Sequence, residues 1–254
     1  MSVLQFRYWA FVPFVVFVLV SSCKAEDAIV AVASNFLETA KELSKRFDPK
    51  KETITLASGS TGQIFAQINQ GAPFHVFLSA DHQRVDELVK RELAISATQT
   101  TYAHGRICFY LASKPKSDET PEQVFDNFQF KRVAIANPRI APYGKASLEA
   151  LRNAGWSEHE QKLQVATAQN VGQAFAMVSS GNAETGIVAL STILLRSVDK
   201  QNYFLIPTQM HEPIRQDAVL LVKGSENATA KRFLNYLSSN EGKTIIRSHG
   251  YNID

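Results

Sequence analysis

The chain has 254 residues, 45% hydrophobic and 20% charged, which fits one large or two modest globular domains with a core of ordinary size. Its formal charge is +3 from 27 Lys and Arg against 24 Asp and Glu; residues 1–25 hold Arg7 and Lys24, so the remainder sets 25 basic against 24 acidic side chains. That balance, with no basic stripe interleaved with aromatics, excludes nucleic acid as the expected partner.

From the N-terminus, Arg7 precedes a short apolar run, residues 10–20, and then Ser21-Ser22-Cys23. This is a secretory signal pattern over residues 1–25, too short and too poorly flanked for a stable spanning helix. Two processing routes stay open. Cys23-Lys24-Ala25 resembles a small-x-small cleavage site, and Val20-Ser21-Ser22-Cys23 resembles a lipobox with Val where Leu is commoner, which would anchor the protein by lipid on Cys23. Either route exports the product, so a periplasmic location is expected.

Strands and helices then alternate. Residues 28–33, AIVAVA, form a continuous apolar run suited to a strand covered on both faces. Phe36, Leu37, Ala40, Leu43 and Phe47 follow at helical spacing, and Asn35 with Glu38 reads as a capping box at the helix start. Residues 53–70 repeat strand, turn and helix, residues 76–79 give a third strand, and Asp81 is expected to cap a helix carrying Val85, Leu88 and Val89. A second series begins near Arg106, with strands at 107–112, 132–136, 163–166, 186–190 and 203–206 and helices at 145–153 and 171–180. A strand at 217–222 and helices at 227–238, capped by Asn227, and 241–248 close the chain. Right-handed crossovers between parallel strands predict an α/β fold of two doubly wound lobes. No flexible linker is visible, which predicts crossing strands between the lobes and a ligand cleft at their switch points. The expected division is a signal peptide at 1–25, lobe 1 at 26–105 plus 216–254, and lobe 2 at 106–215. The chain has two cysteines; Cys108 lies in an apolar strand and, without Cys23, is read as a buried structural thiol.

Signals for catalysis are weak. None of the six histidines pairs at metal-ligand spacing, and His159-Glu160 lacks the second His of a zinc protease motif. Ser58-Gly59-Ser60-Thr61-Gly62 misses the nucleophile elbow because Ser58 occupies its first glycine position. Gly144-Lys145-Ala146-Ser147 misses a phosphate-binding loop at Arg139 and Ala146. The expectation is therefore a binding protein that needs no cofactor.

Four segments share one pattern, in which a strand ends and small or hydroxyl residues open a helix: Ser34-Asn35, residues 58–62, Ala141-Pro142-Tyr143-Gly144, and Gln169-Asn170-Val171-Gly172. The first N–H groups of a helix have no intrahelical partner and carry the positive end of its dipole, so such openings suit a compact oxyanion. Any one of them alone is an ordinary capped helix. The pattern itself names no ligand.

The motifs are more specific. Residues 33–37 (ASNFL), 58–62 (SGSTG), 71–81 (GAPFHVFLSAD), 136–144 (ANPRIAPYG) and 170–174 (NVGQA), in this order and spacing, resemble the periplasmic molybdate-binding proteins of bacterial ABC transporters, which have the group II solute-binding fold. The resemblance runs from Ala28 to about Tyr251. It implies a tetrahedral dianion, molybdate or tungstate, held by the Ser34 hydroxyl and N–H, the Asn35 N–H, the Thr61 hydroxyl, and the main-chain N–H groups of Tyr143 and Val171, with Ser60 as a neighbour. Ser34, Thr61, Tyr143 and Val171 would touch the oxygens of the anion, not the metal. It also implies a monomer and a separate membrane permease. Family members differ at the Tyr143 position, and some use a downstream tyrosine; with A-P-Y-G present no further tyrosine is assigned, and Tyr203 is read as a core strand residue. Two alternatives stay open: another tetrahedral oxyanion such as sulfate, or an enzyme on the same scaffold.

A fully deprotonated oxyanion only accepts hydrogen bonds, so a site made of donors rejects ions that still carry a proton. That proton would be buried unpaired at a cost of about 1–3 kcal/mol. Molybdate and sulfate are both tetrahedral dianions, so cavity size must separate them. Asn137-Pro138 reads as a local turn, and Arg139 and Lys145 as solvated charges.

Overall fold

The computed structural model describes residues 27–47, 53–115, 119–157 and 163–253. The leader, with both processing alternatives, and His159 lie outside these residues. The first half runs β1 (Ala28–Ala33), α1 (Leu37–Phe47), β2 (Ile54–Gly59), α2 (Thr61–Asn69), β3 (Val76–Leu78), α3 (Gln83–Lys90) and β4 (Thr100–Gly105). It continues with β5 (Ile107–Leu111), α4 (Pro121–Asp126), β6 (Arg132–Ala136), α5 (Pro142–Asn153), β7 (Gln164–Ala168), α6 (Val171–Ser179), β8 (Thr185–Ala189), α7 (Leu190–Leu195) and β9 (Tyr203–Leu205). Last come β10 (Ile214–Leu220), α8 (Ala228–Leu237) and α9 (Asn240–Ser248).

These strands make two five-stranded sheets, β2-β1-β3-β10-β4 and β7-β6-β8-β5-β9. In the first, side chains alternate between two cores. Val30, Val32, Val76, Leu78, Ala218 and Leu220 face Phe36, Leu43, Phe233 and Ile246, whereas Ala31, Phe77 and Val219 face Ile64, Ile68, Val85 and Leu88. This period-two split is why β1 reads as continuously apolar: both of its faces are covered. The second sheet builds its core around Phe109, whose ring centroid lies 5.1 Å from both Phe125 and Phe130.

The sheets are mixed, not purely parallel as the crossover pattern predicts. β1 pairs parallel with β2 and β3, and β6 with β7 and β8. β10 is antiparallel to β3 and β4, and β5 is antiparallel to β8 and β9. The reason is the route between lobes: β4 carries the chain out through Arg106 into β5, and β10 carries it back beside β4, with Ile214 opposite Gly105. Two neighbouring passes in opposite senses must pair antiparallel.

Other differences are local. β10 begins at Ile214 rather than 217, because Gln216 and Asp217 are buried within it and paired there; its ladder shifts between these two residues. β4, α4 and α7 have no counterpart in the sequence reading, and α5 starts at Pro142, three residues early. Asn35 does not cap α1: residues 34–36 form a 3-10 turn without a side-chain cap, and Glu38 pairs with Lys41. The Asn35 side chain goes to buried partners instead. Asp81 does accept from the Arg84 N–H at 3.0 Å, Asn227 caps α8 at 2.7 Å, and Cys108 is a buried free thiol. No helix among the described residues is long and apolar enough to cross a membrane.

Candidate functional site

The four helix openings meet at one small cavity between the sheets. Its wall is Ala33, Ser34, Asn35, Ser60, Thr61, Ala80, Ala141, Pro142, Tyr143 and Val171, and its volume is ≈ 10 Å³. The structure thus brings together all six residues singled out in the sequence. None of the ten wall residues carries a charge. Larger hollows, such as a groove of ≈ 840 Å³ lined by Leu111, Val124, Phe128 and Glu184, collect no comparable set of helix openings.

Each opening presents its first N–H for a local reason. At α2 the Ser60 side chain accepts from Gln63 N–H, the Ser60 carbonyl accepts from Ile64 N–H, and Gly62 N–H reaches Ile140 O; the Thr61 N–H has no acceptor within its helix. α5 has proline at its first position, which carries no N–H, so its first donor belongs to Tyr143. At α6 the Asn170 side chain and carbonyl take the N–H groups of Gln173 and Ala174, leaving that of Val171 at the tip. In the turn after β1, Leu37 N–H returns to Ser34 O, and the Ser34 and Asn35 N–H groups lie ahead of it.

The hydroxyls divide. Thr61 Oγ1 accepts from the Ala80 N–H at 3.2 Å, so its own hydrogen remains for a further acceptor. Ser60 is different: its Oγ accepts from Gln63 N–H at 3.3 Å and donates to Gln63 Oε1 at 3.0 Å, and its N–H also donates to Gln63 Oε1 at 3.0 Å. Ser60 therefore lines the cavity as the cap of α2, with its donors committed to Gln63 (a capping box).

Beneath the cavity lies a buried polar floor that sequence reasoning missed. Asn35 Nδ2 donates to Gln216 Oε1 at 2.7 Å and lies 3.3 Å from the hydroxyls of both Tyr143 and Tyr251. The Asn35 carbonyl accepts from Tyr251 OH at 2.7 Å and from Ser191 Oγ at 3.0 Å. Burial raises the phenols of Tyr102 and Tyr143 well above their ordinary range and that of Tyr251 to about 12, so all three remain neutral donors. Gly105 makes room for this floor: a Cβ there would sit 2.3 Å from Tyr143 OH. Tyr203 is a half-buried residue of the edge strand β9, away from the cavity wall.

The rim closes by direct bonds between lobes. Gly62 N–H donates to Ile140 O at 2.8 Å, Gln63 Nε2 to Gln169 Oε1 at 3.2 Å, and Arg84 Nη2 to Arg139 O at 3.3 Å. Arg84 also pairs with Asp81. Gly62 in a first helical turn was the one available sequence signal, since glycine there costs up to ~1 kcal/mol against alanine and marks a close approach. Among the described residues no group of three or more His, Cys, Asp or Glu could hold a metal ion. The arrangement can hold a small acceptor-only anion through neutral donors.

Residues 25–252 match the family described as bacterial extracellular solute-binding protein. The molybdate-binding protein ModA of Rhodobacter capsulatus is 39% identical over 229 residues, covering 89% of this chain and 88% of its own. ModA of Azotobacter vinelandii is 34% identical over 239 residues, 92% of this chain and 93% of its own. The solved structure named as the Azotobacter vinelandii periplasmic molybdate-binding protein superposes with a TM-score of 0.81 at 31% identity, over 90% of this chain and all of that one (100%).

Proposed function

Because the chain belongs to the bacterial extracellular solute-binding proteins, we propose that it captures molybdate, and equally tungstate, outside the cytoplasm and hands it to a separate ABC-type permease. It is a binding protein rather than an enzyme. One observation supports the ligand class: Ser34, Asn35, Thr61, Tyr143 and Val171, all at uncharged helix openings, line one small cavity. Hydrogen bonds to a charged acceptor contribute about 1.5–3 kcal/mol each, so oriented N–H and O–H groups can compensate a buried dianion without a cationic side chain. The named ligand of the relatives, at 39% and 34% identity, supports molybdate within that class. The exported location rests on the family and on the leader pattern of residues 1–25.

Calorimetry with molybdate, tungstate, sulfate and phosphate tests the reading. Tight, comparable binding of the first two with none of phosphate is expected. Sulfate bound tightly with no molybdate heat would make this a sulfate protein. Ser34→Ala and Thr61→Ala should each weaken molybdate binding about tenfold or more, by loss of one charge-assisted bond. Unchanged affinity in both would remove this cavity as the site.

A further inference from the structure

Size selection requires something to fix the distance between lobes, and the ligand cannot do this if it is to be measured against a standard. Two protein contacts flank the cavity. At the floor, Ser191 Oγ of lobe 2 is held on the Asn35 carbonyl of lobe 1, an acceptor it shares with Tyr251 OH of lobe 1. At the rim, the main chains themselves touch: Gly62 N–H meets Ile140 O at 2.8 Å, and a Cβ on Gly62 would lie 2.9 Å from that oxygen and 3.0 Å from Ile140 Cα. Neither Gly62 nor Ile140 lines the cavity.

Both sides of the rim contact are stiff. Gly62 sits in the first turn of α2, locked by the Ser60–Gln63 capping box. Ile140 belongs to a tight turn: Asn137 O accepts from Ile140 and Ala141 N–H at 3.2 and 2.9 Å, Asn137 Oδ1 accepts from Arg139 N–H at 3.0 Å, and Asn137 N–H donates to Ala168 O at 2.7 Å. No side chain intervenes that could swing aside.

Resting on the molybdate reading, we propose that the Gly62–Ile140 contact is the mechanical stop that sets which oxyanion fits, making Gly62 and Ile140 specificity-determining residues that never touch the ligand. A smaller dianion cannot draw the lobes past backbone contact, so it fails to reach the donors of both lobes at once. A larger one breaks the Gly62–Ile140 bond. The N-P-R-I turn then has a purpose beyond linking β6 to α5: it presents a rigid carbonyl as the end point of closure.

Gly62→Ala on the exported form of the chain is the test, read by calorimetry with molybdate and sulfate and by small-angle scattering. Alanine favours a helix more than glycine does, so the fold is retained and only the added Cβ acts. Molybdate affinity should fall at least tenfold while sulfate affinity changes by less than threefold, compressing the selectivity ratio. The molybdate-bound variant should stay more expanded than the bound wild type. An unchanged ratio, whether both affinities hold or both fall together, overturns the stop. Wild-type protein that binds no molybdate would instead overturn the ligand assignment, so the two failures are separable.

Discussion

Replacing Asn35 by alanine separates the two uses of this residue, because its main chain faces the cavity and its side chain builds the floor. Truncation removes the 2.7 Å bond to Gln216 Oε1 and both 3.3 Å contacts to the phenols. The Gln216 acceptor, in a fully buried residue, is then left with only Tyr102 OH at 3.5 Å, and Gln216 Nε2 already lacks a partner. A stranded buried acceptor costs about 1–3 kcal/mol, and the small void adds to it, so Asn35→Ala should lower stability by about 2–4 kcal/mol. Urea unfolding followed by circular dichroism measures this directly. Molybdate binding should weaken as well, since the Asn35 N–H loses its anchor, but by less than for Ser34→Ala. A stability loss below about 0.5 kcal/mol would show that the Asn35–Gln216 bond stabilises nothing, and the reasoning would fail.

Three other outcomes are expected. Gly144→Ala places a Cβ 2.2 Å from Ala136 O, where α5 leaves the end of β6, and should destabilise by about 1–3 kcal/mol in the same urea assay. Burial raises Tyr251 from 10 to about 12, so the folded state holds this proton more tightly than the unfolded state does. Its contribution, about 3 kcal/mol, is complete below pH 10 and is lost as pH climbs toward 12; the alkaline limb of a stability–pH curve should be shallower for Tyr251→Phe. The Cys108 thiol, buried and pushed up to about 12, should resist a thiol-specific disulfide reagent in the folded protein and react promptly in denaturant, as followed by absorbance.

What could be read in the sequence was what is encoded locally. The helix openings at Thr61, Tyr143 and Val171 follow from a strand, a small-residue turn and a helix, and each needs only a few neighbouring residues to form; the donor role of each residue is implied only by the family resemblance. Strand direction could not be read, because β10 has the same apolar alternation whichever way it runs. β4 was missed because TTYAHG looks like a polar loop and becomes a strand only by pairing with β10. Asn35 shows how a local pattern can mislead: Asn-x-x-Glu fits a capping box, yet the partners that claim the side chain lie 181 and 216 positions away. Nothing in the neighbourhood of Tyr251 or Ser191 signals that both donate to the Asn35 carbonyl.

The interleaving of the two sheets also orders events in time. The sheet of lobe 2 is drawn from the uninterrupted stretch 107–205, whereas that of lobe 1 keeps a gap between β3 and β4 until β10 arrives from beyond residue 213. Contacts so distant along the chain form slowly, so lobe 2 can mature while β1, β2 and β3 wait for their missing neighbour. In refolding, burial of Trp156, which packs in the lobe 2 core, should therefore precede recovery of anion binding. Until β10 is in place the first sheet stays split, and the cavity between the two sheets cannot take its final shape.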